Sequence, residues 1–300
     1  MNTATLEMAA ADARPRLVGI AYRMLGSMSD AEDVVQDALV RVQRNAPDHV
    51  ESPVAYLTTV TTRLAIDHLR SARVRREAYV GPWLPEPVIA DPGAGAGGDL
   101  SDAAVLADSL SMAFLVALES LSPEERAALL LHDVFGYDHH HVAVTLDRSG
   151  AASRKLLQRA RQRVSDARPR HEVDHRQLEA LVEQFRQACE GGDMDAFLAV
   201  LTEDASYVAD GGAAVKAARH RIIGATRIAR LLAYLTSRRW GGKALVTVRL
   251  NGEPALAAFD GDTLTDVGLF EAGPGGRLSA IHWLRNPDKL ARLQQHLRPT

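Results

Sequence analysis

The sequence predicts a multidomain protein in which two all-α modules precede an α+β domain, and three observations carry that reading. Between Ser29 and Arg76 lie two amphipathic helical stretches of opposite charge; from Ala104 to Val164 the chain reads as helices, ending in two short ones around a tight turn; from His175 helices come first and alternating, β-rich runs follow. Helices segregated in sequence from an antiparallel sheet mark an α+β domain. The expected boundaries are 1–80 for the first helical module, 81–108 for a linker, 109–168 for the second helical module and 174–300 for the α+β domain.

Three hundred residues exceed one small core, and 46% apolar with 24% charged residues is the composition of folded protein, not of a disordered chain. The net charge of −3 is low for a protein that grips nucleic acid by itself. Any basic surface must then be local, or a larger partner supplies most of the phosphate grip. The first sixteen residues lack a basic segment before an apolar run, and no stretch reaches the ~18 apolar residues of a membrane span, so a cytoplasmic protein is expected. Cys189 is the only cysteine, which excludes an intrachain disulfide and a cysteine-rich zinc site.

Residues 1–11 read as frayed. The first clear helix is expected to open at Ser29, with Glu32 closing a capping box. Ala31, Val34, Val35, Ala38, Leu39 and Val42 then form its apolar stripe. Asp30, Asp33, Gln36 and Asp37 fall on another side: a solvated acidic face near a positive helix end, or a docking surface. The second helix follows Ser52-Pro53, a cap and a proline at the first helical position. Leu57, Val60 and Leu64 mark its buried side. Thr59, Thr62, Arg63, Ile66, Arg70 and Arg73 face the other way, and Arg76 extends the basic run, which suits either a solvated helix end or a phosphate grip.

This acidic helix followed by a basic one, over roughly Arg14 to Tyr79, resembles region 2 of the sigma-70 family of initiation factors. The resemblance implies a helical bundle whose acidic helix (Asp30, Asp33, Gln36, Asp37) docks on a coiled coil of the largest RNA polymerase subunit. It also implies that the next helix (Arg63, Arg70, Arg73, Arg76) reads and melts the minus-ten promoter element.

Gly81 to Gly98 holds four prolines and five glycines and reads as a linker. Its glycine-rich end is free to bend, whereas Trp83-Leu84-Pro85-Glu86-Pro87 is stiff and carries an aromatic that calls for a docking surface. This segment resembles the linker of a subgroup of extracytoplasmic-function sigma factors with an extra C-terminal domain.

Ser122-Pro123-Glu124-Glu125 is a capping box with proline at the first helical position. The short helix after Gly136 and the basic helix after Gly150 complete a helix-turn-helix. On the basic helix Ala152, Leu156, Ala160 and Val164 are expected to face inward, with Arg154, Lys155, Gln158, Arg159 and Arg161 turned outward. The segment Leu118 to Val164 resembles sigma region 4, which binds the minus-thirty-five element. His139, His140 and His141 depart from that pattern. Consecutive helical positions lie about 100° apart, so these histidines do not converge on a metal, and none is expected.

In the α+β domain, residues 178–193 and 194–201 read as helices, 205–212 as a strand into a turn, 222–238 as a helix, and four β-rich runs follow. The order resembles a SnoaL-like cone over roughly His175 to Leu293. In the sigma subgroup this domain carries a DGG-type motif and an NPDKL motif. Here Asp210, Gly211 and Gly212 are present but the continuation differs, whereas Asn286, Pro287, Asp288, Lys289 and Leu290 match in full. These residues, with Trp83 to Pro87, are the expected regulatory contacts between cone and linker, by which the cone would set the spacing of the two DNA-reading modules.

Related cones use a buried carboxylate or histidine as a base, which makes Asp210, His220, Asp260 and His282 the candidates here. The sequence shows no partner for any of them, and Asp210 before two glycines is explained by turn chemistry. The expectation is therefore a sigma factor with no catalytic residue and no cofactor, whose partners are core polymerase and promoter DNA, with a small-molecule ligand of the cone left open. Two alternatives stand beside it: a stand-alone helix-turn-helix regulator with a ligand-sensing cone, and a SnoaL-type isomerase or cyclase fused to a DNA-binding module. Neither needs the acidic docking helix.

Overall fold

The computed structural model describes residues 3–45, 50, 52–77, 79–89, 106, 108–167 and 175–299. The chain divides into two compact units. The first comprises Met1–Glu77, Pro92–Leu110 and Phe114–Pro169; the second comprises Ala78–Asp91, Ser111–Ala113 and Arg170–Thr300. The two helical modules thus share one unit, and the tryptophan-bearing half of the linker belongs with the C-terminal domain.

The first unit opens with α1 (Thr3–Leu25), α2 (Met28–Asn45) and α3 (Pro53–Glu77), which pack on one another. The N-terminal segment expected to fray is helical from Thr3. Helix α2 starts earlier than its sequence signal: the cap is Ser27, whose Oγ accepts from the Asp30 amide at 3.3 Å, not Ser29. Of the expected stripe, Ala31, Val34, Val35, Ala38 and Val42 are buried and Leu39 is half-buried. Ser52 caps α3 as expected, accepting from the Ala55 amide at 3.3 Å.

Then follow α4 (Met112–Leu118), α5 (Pro123–Leu129) with a wide π-type turn over Leu130–Val134, α6 (His139–Thr145) and α7 (Gly150–Ala167). The Ser122–Glu125 capping box forms in both directions, at 3.2 and 3.1 Å. Asp138 caps α6 by accepting from the His141 amide at 2.7 Å. The buried stripe of α7 is Ser153, Leu157 and Ala160. Ala160 is buried as expected, but Ala152 is exposed and Leu156 and Val164 are only half-buried, so Ser153 and Leu157 take their places on the inward face. Helix α7 packs against both α5 and α6, and the direction of that cover is not written in the spacing of apolar residues along α7.

The second unit contains α8 (His175–Gly191), α9 (Met194–Val200), β1 (Leu201–Asp210), β2 (Ile222–Ile223), α10 (Ala225–Leu235), β3 (Ala244–Leu250), β4 (Glu253–Asp260), β5 (Thr263–Gly273), β6 (Arg277–Leu284) and α11 (Pro287–Gln294). The sheet order is β2-β1-β6-β5-β4-β3, with β1 and β6 parallel and every other pair antiparallel. Ile222 and Ile223, expected at the start of a helix, form a short edge strand instead. Helices α8, α9 and α10 cover one sheet face, where Phe185 packs edge-to-face on Phe197 and tilted against Phe270, with ring centroids 5.6 and 4.9 Å apart. Cys189 is buried in this core and its thiol is pushed up by burial, so it is an apolar packing residue.

Gly268 on β5 faces Trp283 on β6, and a Cβ there would lie 2.3 Å from the indole. That close approach lets Trp283 lie flat across the sheet. No described helix is long and apolar enough to cross a membrane.

Candidate nucleic-acid interface and linker-binding site

On α2, Asp33, Gln36 and Asp37 are exposed and Asp30 is half-buried, 3.5 Å from the His68 imidazole of α3. Gln36 accepts a long contact of 3.4 Å from Arg14, whereas Asp33 and Asp37 have no ion pair or side-chain hydrogen bond among the described residues. The result is a solvent-exposed carboxylate face.

Helix α3 differs from its expected layout. Thr62 and Ile66, assigned to the exposed face, are buried, because α3 is covered on one side by α1 and α2 and on the other by α5 and α6. Arg63 donates from Nε to the Thr145 carbonyl at 2.9 Å and from Nη2 to the Val144 carbonyl at 2.8 Å, closing the C-terminal end of α6. Arg70 pairs with Asp67 and with Glu124. Thr58, fully buried, shares a hydrogen bond of 2.8 Å with the Tyr137 hydroxyl, and Thr59 one of 3.1 Å with Thr145. Arg63 and Arg70 therefore each commit donors inside the first unit, while both residues stay exposed. The side chains of Arg73 and Arg76, on the last turns of α3, lie outside the described residues.

All five outward residues predicted on α7 are exposed. They divide into two sets. Arg161 grips Asp133 through both arms, at 2.8 and 2.6 Å, and Arg159 lies 3.2 Å from Glu125. Burial opposes the ionised form of Asp133, yet the Arg161 fork holds its carboxyl below the usual range. Arg154, Lys155 and Gln158 have no ion pair or hydrogen bond from their side chains among the described residues.

The second unit holds a different kind of site, built on Asp210. This residue ends β1 with no solvent exposure, and its carboxylate accepts four hydrogen bonds: from the Tyr79 hydroxyl at 2.5 Å, the Gly212 amide at 3.0 Å, the Leu84 amide at 2.9 Å and the Lys289 ammonium at 2.7 Å. Its own carbonyl accepts from the Arg285 and Asn286 amides at 2.7 and 3.1 Å. Lys289 also donates to the Leu84 carbonyl and sits 4.1 Å over the Trp83 ring. Asn286 donates to the Tyr79 hydroxyl at 2.8 Å, while its Oδ1 caps α11 by accepting from the Asp288 amide at 3.1 Å. Burial, then the bond to Asp210, pushes the Tyr79 phenol well above its ordinary value.

Leu84, Pro85, Glu86 and Pro87 are buried. The docked segment ends where Val88 exchanges two hydrogen bonds with Asn251, at 3.0 and 2.8 Å, in the tight β3–β4 turn. Gly211 and Gly212 are required by geometry. A Cβ at Gly211 would meet the Val215 carbonyl at 2.1 Å, and Gly212 has φ of 58° with Asn286 2.7 Å from where its Cβ would be. Pro287 and Asp288 are exposed on the first turn of α11, and Leu290 is buried beneath it.

The four residues considered as bases do not converge. His220 and Asp260 are exposed. His282 pairs with Glu271 at 2.6 Å, and Asp210 is saturated by its donors. Sequence reasoning missed Tyr79, Asn251, Asp266 and Arg285. Tyr79 was read as the end of the first helical module, and a single tyrosine next to a helix end gives no hint of a partner 131 positions away.

Two family models match the chain, Sigma-70 region 2 over residues 10–75 and Sigma-70, region 4 over residues 111–164. The ECF RNA polymerase sigma factor SigJ of Mycobacterium tuberculosis (strain H37Rv) is 34% identical over 307 residues, covering 92% of this chain and 90% of its own length. A protein of the same species (strain CDC 1551) named probable ECF RNA polymerase sigma factor SigI is 32% identical, covering 95% and 94%. The crystal structure of M. tuberculosis SigJ matches with a TM-score of 0.73 at 31% identity, over 95% of this chain and 97% of that one.

Proposed function

This chain belongs to the extracytoplasmic-function sigma factors of RNA polymerase, and on that premise we propose how its surfaces divide the work of promoter recognition. As a sigma factor it binds core polymerase and directs transcription initiation; it acts in the cytoplasm with that polymerase. The observation that carries the division is the contrast between an open carboxylate face on α2 and an open basic face on α7. Asp30, Asp33, Gln36 and Asp37 dock on a coiled coil of the largest polymerase subunit. Arg154, Lys155 and Gln158, with Arg159 and Arg161 once released from Glu125 and Asp133, meet the minus-thirty-five element. Arg63, Arg70, Arg73 and Arg76 serve the minus-ten element. No step needs a catalytic side chain or a cofactor.

Because Arg63 and Arg70 are bonded within the first unit, the packed arrangement of that unit is a resting form that opens when promoter DNA is engaged. Removing one hydroxyl tests this without touching a DNA-contacting residue. Tyr137→Phe leaves the buried Thr58 hydroxyl without its partner, at a cost of about 1–3 kcal/mol to the packed form. The expected result is at least about fivefold tighter binding of a minus-ten single strand, measured by fluorescence anisotropy. Unchanged affinity would show that the packing restrains nothing.

Arg154→Ala should weaken binding to a minus-thirty-five duplex in the presence of core enzyme by about 1–3 kcal/mol, the cost of a lost base contact. A smaller and sequence-independent loss would make Arg154 a phosphate contact. For the second unit, the docked segment Tyr79–Val88 makes the Asp210 site the regulatory element of the chain, acting on the linker between regions 2 and 4. Whether a small ligand also enters the α+β domain is a separate question, answered by calorimetric screening. The test of the whole reading is in vitro transcription with core enzyme, comparing the full chain with one truncated at about residue 174. Equal transcription would remove the regulatory role; no transcription from any promoter would remove the sigma assignment of these surfaces.

A further inference from the structure

A second buried carboxylate lies behind the linker site. Asp266, on β5 and without solvent exposure, accepts from Trp283 Nε1 at 3.1 Å, Lys243 Nζ at 3.0 Å and Arg285 Nε at 2.5 Å. Burial works against its ionised form, but Arg285 and then Lys243 hold its carboxyl below the usual range. Arg285 does not stop there. Its Nη1 donates to the Lys216 carbonyl at 2.6 Å, and its backbone amide donates to the Asp210 carbonyl at 2.7 Å. Arg285 therefore holds both ends of the loop from Asp210 to Lys216, the loop that carries Gly211 and Gly212 and aims the Asp210 carboxylate at Leu84 and Tyr79.

A guanidinium reaches two acceptors through a fixed fork, which an ammonium does not reproduce. The sequence of Asp266, Arg285, loop and Asp210 is thus a rigid bracket between the sheet and the linker site. We propose that Asp266 and Arg285 are positioning residues for linker docking: among the described residues neither forms a hydrogen bond or ion pair with the linker, and they set the Asp210 carboxylate in place to receive it. This rests on the reading that docking at Asp210 is how the second unit regulates the chain.

The test is amide hydrogen exchange on the full chain, because the linker reports at two separate points. The Leu84 amide is bonded to Asp210 and the Val88 amide to Asn251. In Arg285→Lys, which keeps a charge beside Asp266 but loses the fork, the Leu84 amide should exchange at least about tenfold faster, with Val88 and the β5 and β6 amides unchanged. Wild-type protection of Leu84 in that variant overturns the proposal. So does equal loosening of Leu84, Val88 and the strands, which would mean general destabilisation. Asp266→Asn should repeat the Arg285→Lys pattern where it folds. Asp210→Asn separates the two levels: if it frees Leu84 while transcription stays constant, the regulatory reading falls and the bracket stands; if it frees Leu84 and Arg285→Lys does not, the bracket falls alone.

Discussion

Reversing two charges on α2, Asp33→Arg with Asp37→Arg, is expected to abolish binding to core RNA polymerase while leaving thermal unfolding unchanged. Both side chains are exposed, and neither has an ion pair among the described residues, so the fold loses no internal contact. The stripe that holds α2 in place lies on the opposite side, at Ala31, Val34, Val35, Ala38 and Val42. Like charges forced together at an interface cost several kcal/mol, so a loss of at least about 100-fold in affinity is the expected scale. Surface plasmon resonance against core enzyme measures it. Wild-type affinity in the double variant would show that the carboxylate face is only a solvated one.

Cutting the centre of the linker site should have the other large effect. Asp210→Ala leaves the Lys289 ammonium, the Tyr79 hydroxyl and the Leu84 amide without their common acceptor. Removing one member of a buried ion pair costs about 3–5 kcal/mol, and both Asp210 and Lys289 are largely withdrawn from water. The linker should then leave its site roughly 100-fold more often or beyond, seen as protease cleavage near Trp83. Promoter-dependent transcription should change with it. Lys289→Met gives a second view, since it strands the Asp210 charge and removes the cation over Trp83. A linker as resistant to protease in both variants as in the wild type would refute the site.

Much of the fold was legible from local signals. The Ser122–Glu125 box, the Ser52-Pro53 start, the apolar stripe of α2 and the β-rich runs after Lys243 each act over a few residues, and each formed as read. Local signals also erred locally. Two serines near the start of α2 both fit a cap, and only the backbone path chose Ser27. Two leucines on α7 both fit an inward stripe, and the folded unit buries Leu157. The α3 face failed for a different reason: periodicity tells that a helix has two faces, but not that a second layer of helices covers both.

The linker motif divides the same way. An aromatic between prolines announces that it docks somewhere, and Asp210-Gly211-Gly212 announces a tight turn; neither announces the other. Asp266 and Arg285 gave no signal at all, because a carboxylate in a β-rich run looks like any solvent-facing strand residue.

By itself the sequence determined the order of modules, the helix starts at Ser52 and Ser122, the opposite charges on α2 and α7, and the family, since these depend on propensity, capping and spacing within a few turns of chain. Only the tertiary structure decided which arginines have donors to spare, which aspartate is buried, and what the linker rests on. Those outcomes depend on groups such as Tyr79 and Asn286, 207 positions apart, whose hydrogen bond exists only once the chain has closed and water has been excluded between them.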